Sequence, residues 1–249
     1  MGLISMCLTP CSGAVRASCA AGSSQTLILE FAGRSDKNHA RLRHKFHSMG
    51  SVTVCTRLRF DHNSFGFSTI FSYSIQSYIN EFQLRANLVQ GKPVQLALLV
   101  HGKHGSYQEA FLNNNSWHSV CVTWTQDGGR WAFYTDGRVL SRGNGLRSSH
   151  TIGPDGLFII GQEQDTFGGS FKKDESFSGS ITELHIWDRV LNGNEILTME
   201  KECLPVSSGL VFNINHRYDQ TQSLLSVCVA SSLLVAPIGP VIYIDVVWS

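Results

Sequence analysis

Residues 158–187 read FIIGQEQDTFGGSFKKDESFSGSITELHIW, and their pattern decides the architecture. An apolar strand at 158–160 and an alternating strand carrying Ile181, Leu184, Ile186 and Trp187 enclose a loop that holds Glu163, Gln164, Asp165, Asp174 and Glu175. Four carboxylates and an amide thus fall within thirteen positions. Such carboxylates repel one another at neutral pH, so a fold that gathers them needs a cation. Calcium suits the set, being hard, oxygen-seeking and tolerant of irregular coordination. The alternative is a solvated acidic loop in which Gly168 and Gly169 only turn the chain.

Outward from that loop the sequence keeps a period of two. Val52, Val54, Leu58 and Phe60 alternate with Thr53, Cys55, Arg57 and Arg59, which reads as a half-buried strand with Cys55 on its polar side. Val120, Val122 and Trp124 alternate in the same way with Ser119, Cys121 and Thr123. Further short apolar runs lie at 27–31, 70–73, 82–84, 94–100 and 131–134, the last between the hairpin signals Asp127-Gly128-Gly129 and Asp136-Gly137. Evenly spaced strands with almost no helical periodicity imply an all-β, two-sheet antiparallel sandwich. Val54, Leu58, Ile70, Val120, Val122, Trp124, Phe133, Ile160, Ile186 and Trp187 are expected in one core between the sheets. A single short helix is predicted after Asn192, capped by that residue with Glu195 closing a capping box and Ile196 and Met199 facing inward.

A chain of 249 residues accommodates one large sandwich plus tails. With 20 basic and 19 acidic residues, nothing global favours nucleic acid or an anionic membrane surface as a partner. The basic run Arg34, Lys37, Arg41, Arg43 and Lys45 could bind a polyanion, though a solvated strand-and-loop face explains it more simply. Seven cysteines without a C-x-x-C pair point to disulfides and an oxidising, extracellular compartment. The odd count leaves at least one thiol free, removed with a leader, or paired to another chain. Residues 1–22 form a poor leader, with no basic start, Pro10 in the apolar run and Arg16 inside. The domain is expected over 25–215. Residues 216–249 form an apolar tail whose Pro237, Pro240 and Asp245 make it an awkward membrane span, so it reads as truncated or aberrant. Asn114-Asn115-Ser116 is a glycosylation sequon, meaningful for a secreted chain.

GQEQDTFGG at 161–169, SFSGSITELHIWDRVL at 176–191 and HSVCVTW at 118–124 closely resemble the pentraxin family, over roughly residues 52–210. The resemblance implies a flattened jelly-roll sandwich of concanavalin A/laminin G-like type. It also implies a double calcium site on one face, a short helix on the other, and a disulfide between Cys55 and Cys121. Carried over by position, the family's calcium ligands fall on Asn80, Glu163, the Gln164 carbonyl, Asp165 and Glu175. Two departures stand out: Ile79 replaces an aspartate, and Lys172 stands where an acidic ligand belongs, with Asp174 near enough to compensate by a shift of loop register. A lost carboxylate and an added ammonium imply calcium binding that is weak, of about the millimolar class, or lost. Arg85 falls near the wall that faces choline in phosphocholine-binding members. A guanidinium there disfavours choline and favours a carboxylate or sulfated sugar. Cys203 is expected to pair with Cys228, leaving Cys7, Cys11 and Cys19 outside the core.

The sequence carries no G-x-S-x-G, H-E-x-x-H, G-x-x-x-x-G-K-[ST] or strand-linked G-x-G-x-x-G motif. His101 with His104, or His44 with His47, could pair on a metal, though exposed loop histidines explain them more simply. A non-catalytic binding module is therefore expected, taking a carbohydrate, an anionic group or a protein as its extracellular ligand. Two settings compete. One is the ectodomain of an adhesion G-protein-coupled receptor, whose pentraxin-like modules commonly lose calcium ligands; Cys203-Leu204-Pro205 and Ser207-Ser208-Gly209-Leu210 resemble the delta group. Nothing in the chain encodes seven spans, so it would be a fragment or isoform, tied to a membrane only through the receptor. The other is a secreted, homo-oligomeric, calcium-dependent lectin-like glycoprotein.

Overall fold

The computed structural model describes residues 27–214 and the strand Ile244–Val247. Fifteen strands and one α-helix follow one another along the described chain. One sheet runs in the order β1 (Ile28–Phe31), β13 (Gly179–Trp187), β3 (Ser51–Phe60), β9 (His118–Thr125), β10 (Arg130–Thr135) and β11 (Arg138–Gly143), with β14 (Leu210–Asn213) also on β13. The other runs β15 (Ile244–Val247), β2 (His39–Leu42), β12 (Leu157–Ile160), β4 (Gly66–Ile75), β5 (Tyr78–Leu88), β6 (Pro93–Val100) and β7 (Lys103–His104), with β8 (Gln108–Leu112) also on β6. Every pairing is antiparallel, so the chain forms the two-sheet sandwich implied by its alternation, in the jelly-roll form implied by the resemblance. Close to the C-terminus, β15 pairs with β2 as an edge strand of the second sheet.

The core between the sheets contains nine of the ten residues expected there, from Val54 and Leu58 to Ile160 and Ile186. Trp187 is the exception: it lies with Cys55, Cys121, Leu191 and Ile196 in a second cluster outside the first sheet. Successive strand residues point to opposite faces, so Ile186 and Trp187 cannot both face the same core. Ile181 and Leu184 do share a face because the register shifts between them, where Glu183 adopts a positive φ of 52°.

The second cluster also corrects the expectation of half-buried strands. The polar-looking faces of β3 and β9 are covered by α1 (Gly193–Glu202) together with the segment leading into it, and Cys55, Thr53 and Thr123 are buried. Thr53 resolves its burial by donating its hydroxyl to the Arg189 carbonyl at 2.7 Å and accepting the Leu191 N–H at 3.0 Å. The helix begins as its local sequence dictates: the Asn192 side chain accepts from Asn194 and Glu195, and Glu195 accepts the Asn192 N–H. It ends at Cys203 in the left-handed region. Ile196 is buried beneath it and Met199 packs at its margin.

Cys55 lies directly opposite Cys121 in the β3–β9 ladder, and the two form a disulfide with a Cα separation of 4.0 Å. Cys203 is also disulfide-bonded. Cys228, Cys7, Cys11 and Cys19 lie outside the described residues, as do the leader expected over 1–22 and all of the 216–249 tail except β15.

Two outcomes follow from this packing. The Cys55–Cys121 bond closes a separation of 66 residues, so replacing both cysteines by alanine should lower stability by about 4 kcal/mol. Urea unfolding measures it, and a change under about 1 kcal/mol would remove the bond from the stabilising contacts. The second concerns His185, on β13, whose burial pushes its pKa down to about 4, against a hydrogen bond with Asn213. The unfolded chain takes up this proton from about pH 6.5 downward, the native chain only near pH 4. Stability from the neutral ring is therefore complete above pH 6.5 and is lost as pH falls to about 4, by roughly 3 kcal/mol in all. Relative to wild type, His185→Gln should fall less in stability between pH 7.5 and 4; parallel declines would exclude the imidazole as the titrating group.

Candidate functional site

The acidic loop leaves the second sheet at the end of β12 and returns on β13 of the first, so it bridges the sandwich. Its entry depends on Gly161, whose positive φ of 90° turns the chain while its N–H donates to the Ile70 carbonyl. Two buried glutamines then pin it. Gln162 donates to the Ser35 carbonyl and accepts Ser72 Oγ–H on its own carbonyl at 2.7 Å. Gln164 donates Nε2 to the Ser72 carbonyl at 3.1 Å and the Leu157 carbonyl at 3.2 Å, and its Oε1 accepts the Gly168 N–H at 3.0 Å. The Gln164 side chain is thus committed to holding the loop. A 3-10 turn at Lys173–Glu175 completes it, fastened where Arg34 donates to the Asp174 carbonyl at 2.8 Å.

Pinned this way, Glu163, Asp165 and Glu175 bring carboxylate oxygens within 4.8 Å of one another. Glu163 is buried, Glu175 half-buried and Asp165 exposed. Asp174, the residue expected to compensate through a register shift, does not join them. Asn80 lies near the start of β5, where its carbonyl accepts the Gly102 N–H at 2.9 Å, and Ile79 precedes it half-buried.

Three carboxylates so close could hold a metal, but two cations of the chain itself already occupy them. Arg85 of β5 forms an ion pair through Nη2 with Glu163 Oε2 and donates the same nitrogen to Glu175 Oε1 at 3.1 Å. Lys172 Nζ lies 2.8 Å from Asp165 Oδ2 and 3.9 Å from Glu175 Oε2. Its hydrogen bond to Asp165 and the nearby charge of Glu175 raise the Lys172 pKa above the ordinary lysine value. Three negative and two positive charges leave the cluster at minus one. Guanidinium and ammonium groups cannot ligate a metal, and they use the oxygens a calcium ion would need, so the residues present do not fit the two-ion arrangement of pentraxins. Arg85, expected from the sequence to face an anionic ligand, is engaged by the loop instead.

A second constellation was not expected. His101, considered with His104, is instead beside Glu81 and His150, and the three offer ligand atoms within 4.8 Å of one another. His104 turns away, its Nδ1 against the Gly105 carbonyl and its ring near Tyr107. No spacing rule signals three residues spread over 70 positions of the sequence. On the remaining expected site, Asn114 is exposed and its Oδ1 accepts the Ser116 N–H at 3.0 Å.

Comparison with known proteins follows the same outline. A sequence model of the Pentaxin family matches residues 28–223. Human adhesion G protein-coupled receptor D2 is 37% identical over 201 residues, which are 80% of this chain and 21% of the receptor. Mouse neuronal pentraxin-2 is 33% identical over 166 residues, 67% of this chain and 37% of that protein. The chain therefore spans about a fifth to two fifths of these curated relatives. The heptameric SAP-like pentraxin of Limulus polyphemus superposes with a TM-score of 0.67 at 27% identity, covering 73% of this chain and 84% of that one. The full extracellular region of zebrafish Gpr126 shares the fold, with a TM-score of 0.60 at 16% identity over 84% of this chain and 26% of that one.

Removing Arg85 would strand Glu163 in a largely dry position. Arg85→Ala should cost about 3 kcal/mol at neutral pH, and adding Glu163→Gln should restore much of it. A double-mutant cycle measures the coupling, and simple additivity of the two changes would show that the pair does not interact.

Proposed function

Because the chain belongs to the pentraxin family, matched over residues 28–223, we propose that it is an extracellular, non-catalytic recognition module of an adhesion receptor whose acidic face works without calcium. The observation that carries this reading is the pair of internal cations, Arg85 and Lys172, on the three converging carboxylates. A calcium ion entering there must displace both, and each unit charge a few ångströms away opposes it by about 1 to 4 kcal/mol. The receptor setting is supported by 37% identity to an adhesion receptor over 80% of the chain. The non-catalytic part is supported by the missing nucleophile and metal-protease motifs and by relatives named as receptors and pentraxins. Glycosylation at Asn114 fits the same setting, since that side chain is exposed in a turn.

The ligand class on this reading is a carbohydrate, an anionic group or a protein surface. Lys172, 60% exposed, is the cation of the cluster open to an anionic partner, while Arg85 is half-buried. A second reading, a secreted and oligomeric calcium-dependent lectin-like protein, is favoured by the convergence of the carboxylates and by the likeness to a heptameric pentraxin.

Calcium titration of thermal unfolding separates the two, because an ion selective for the native state raises stability by RT ln(1 + [L]/Kd). The wild-type melting temperature should stay unchanged through micromolar calcium. A variant carrying Ile79→Asp, Arg85→Leu and Lys172→Glu should rise with calcium, since it frees the carboxylates and adds two more. A wild-type rise at micromolar calcium would favour the lectin-like reading. A triple variant that gains nothing would show that the ligand positions are misassigned.

A further inference from the structure

We propose that Glu81, His101 and His150 form a binding site for a divalent transition ion of the zinc class, separate from the acidic loop and independent of its reading. Three distant segments meet there: the start of β5, the turn between β6 and β7, and the irregular segment that precedes β12. Their ligand atoms lie within 4.8 Å of one another. Ligands around a tetrahedral zinc ion, each at about 2.0–2.1 Å, stand roughly 3.4 Å apart, so small side-chain rotations close the shell.

The groups are already held in place. Glu81 has no exposed surface; its Oε1 accepts the Gly153 N–H at 2.7 Å and its Oε2 is 2.7 Å from His101 Nδ1. A carboxylate this deep needs a charge partner or a metal, and an imidazole beside a single N–H is a modest answer. His101 occupies a position that favours a different residue. With φ of 42° at His101 and 72° at Gly102, the two-residue turn is of the kind that Asn-Gly fills best. The histidine nevertheless stands there, its N–H donating to the Glu81 carbonyl at 2.7 Å and its ring stacked on Tyr78 at 3.8 Å. Strained backbone that carries a chemically active side chain against a buried charge is a mark of a working site. His150 then brings a second imidazole to 3.6 Å from the first, centroid to centroid.

The donor set selects the ion. Two imidazoles and a carboxylate suit zinc and its neighbours, whereas calcium asks for six or more oxygens. Glu81 can serve as third ligand or, through His101 Nδ1, orient that ring so its other nitrogen binds. Either way the shell keeps a position for water or for a donor from a bound partner. His150 discriminates this from a simple Glu81–His101 hydrogen bond, which does not need it.

The test is calorimetric titration of the intact chain with zinc chloride, alongside cobalt(II) titration followed by visible absorption. The expected result is one equivalent bound with micromolar or tighter affinity, and a cobalt spectrum of low-coordinate type. His150→Ala and His101→Asn should each weaken binding at least tenfold, the latter keeping a residue suited to the turn. His104→Ala should bind as wild type. No saturable binding up to millimolar zinc, or unchanged binding in both His150→Ala and His101→Asn, would overturn the proposal.

Discussion

The pairing of β3 with β9 is the constraint on which the remaining structure depends. Its two strands carry the Cys55–Cys121 bond at directly opposed positions, near the middle of the seven-stranded sheet. One face of the pair supplies Val54, Val122 and Trp124 to the core between the sheets. The other supports Trp187, Leu191 and Ile196 under the helix. A strand buried on both faces cannot slip by one residue without exchanging its two sets of side chains. That fixed register passes to β13, which pairs with β3, and so to the end of the acidic loop that β13 receives.

The loop begins in one sheet and ends in the other, and its two buried glutamines give it little freedom. Charge then has to be settled locally. Loops of this type gather carboxylates that need a cation, and here the cations are covalently part of the chain. Arg85 reaches Glu163 and Glu175 from β5, and Lys172 reaches Asp165 from the loop itself. An internal ion pair of this kind adds little net stability over an apolar substitute, but removing either partner leaves an unpaired charge in a partly buried place. Its practical difference from a bound ion is that it neither dissociates nor answers to the ion's concentration outside.

The sequence by itself determined whatever depends on neighbours along the chain. Alternation at 52–60 and 119–124 marks strands because successive side chains face opposite ways, and Asn192 with Glu195 marks a helix start because the capping box closes within four residues. The residues around the acidic loop also identified the fold, since its motifs are local strings. Tertiary structure alone decided which faces are covered and which distant charges meet. Nothing near Thr53 or Cys55 announces that a helix and the segment leading into it, more than 130 residues later, will bury them. Trp187 reads as one more core residue until the strand's two faces are assigned to two different clusters. Arg85 reads as a free guanidinium until β5 is aligned beneath the loop, and His101 reads as the partner of nearby His104 until the turn carries it to Glu81 and His150. The physical reason is the same in each case: local rules set the direction of a side chain, whereas its partner is set by strand register and loop path, which are properties of the whole chain.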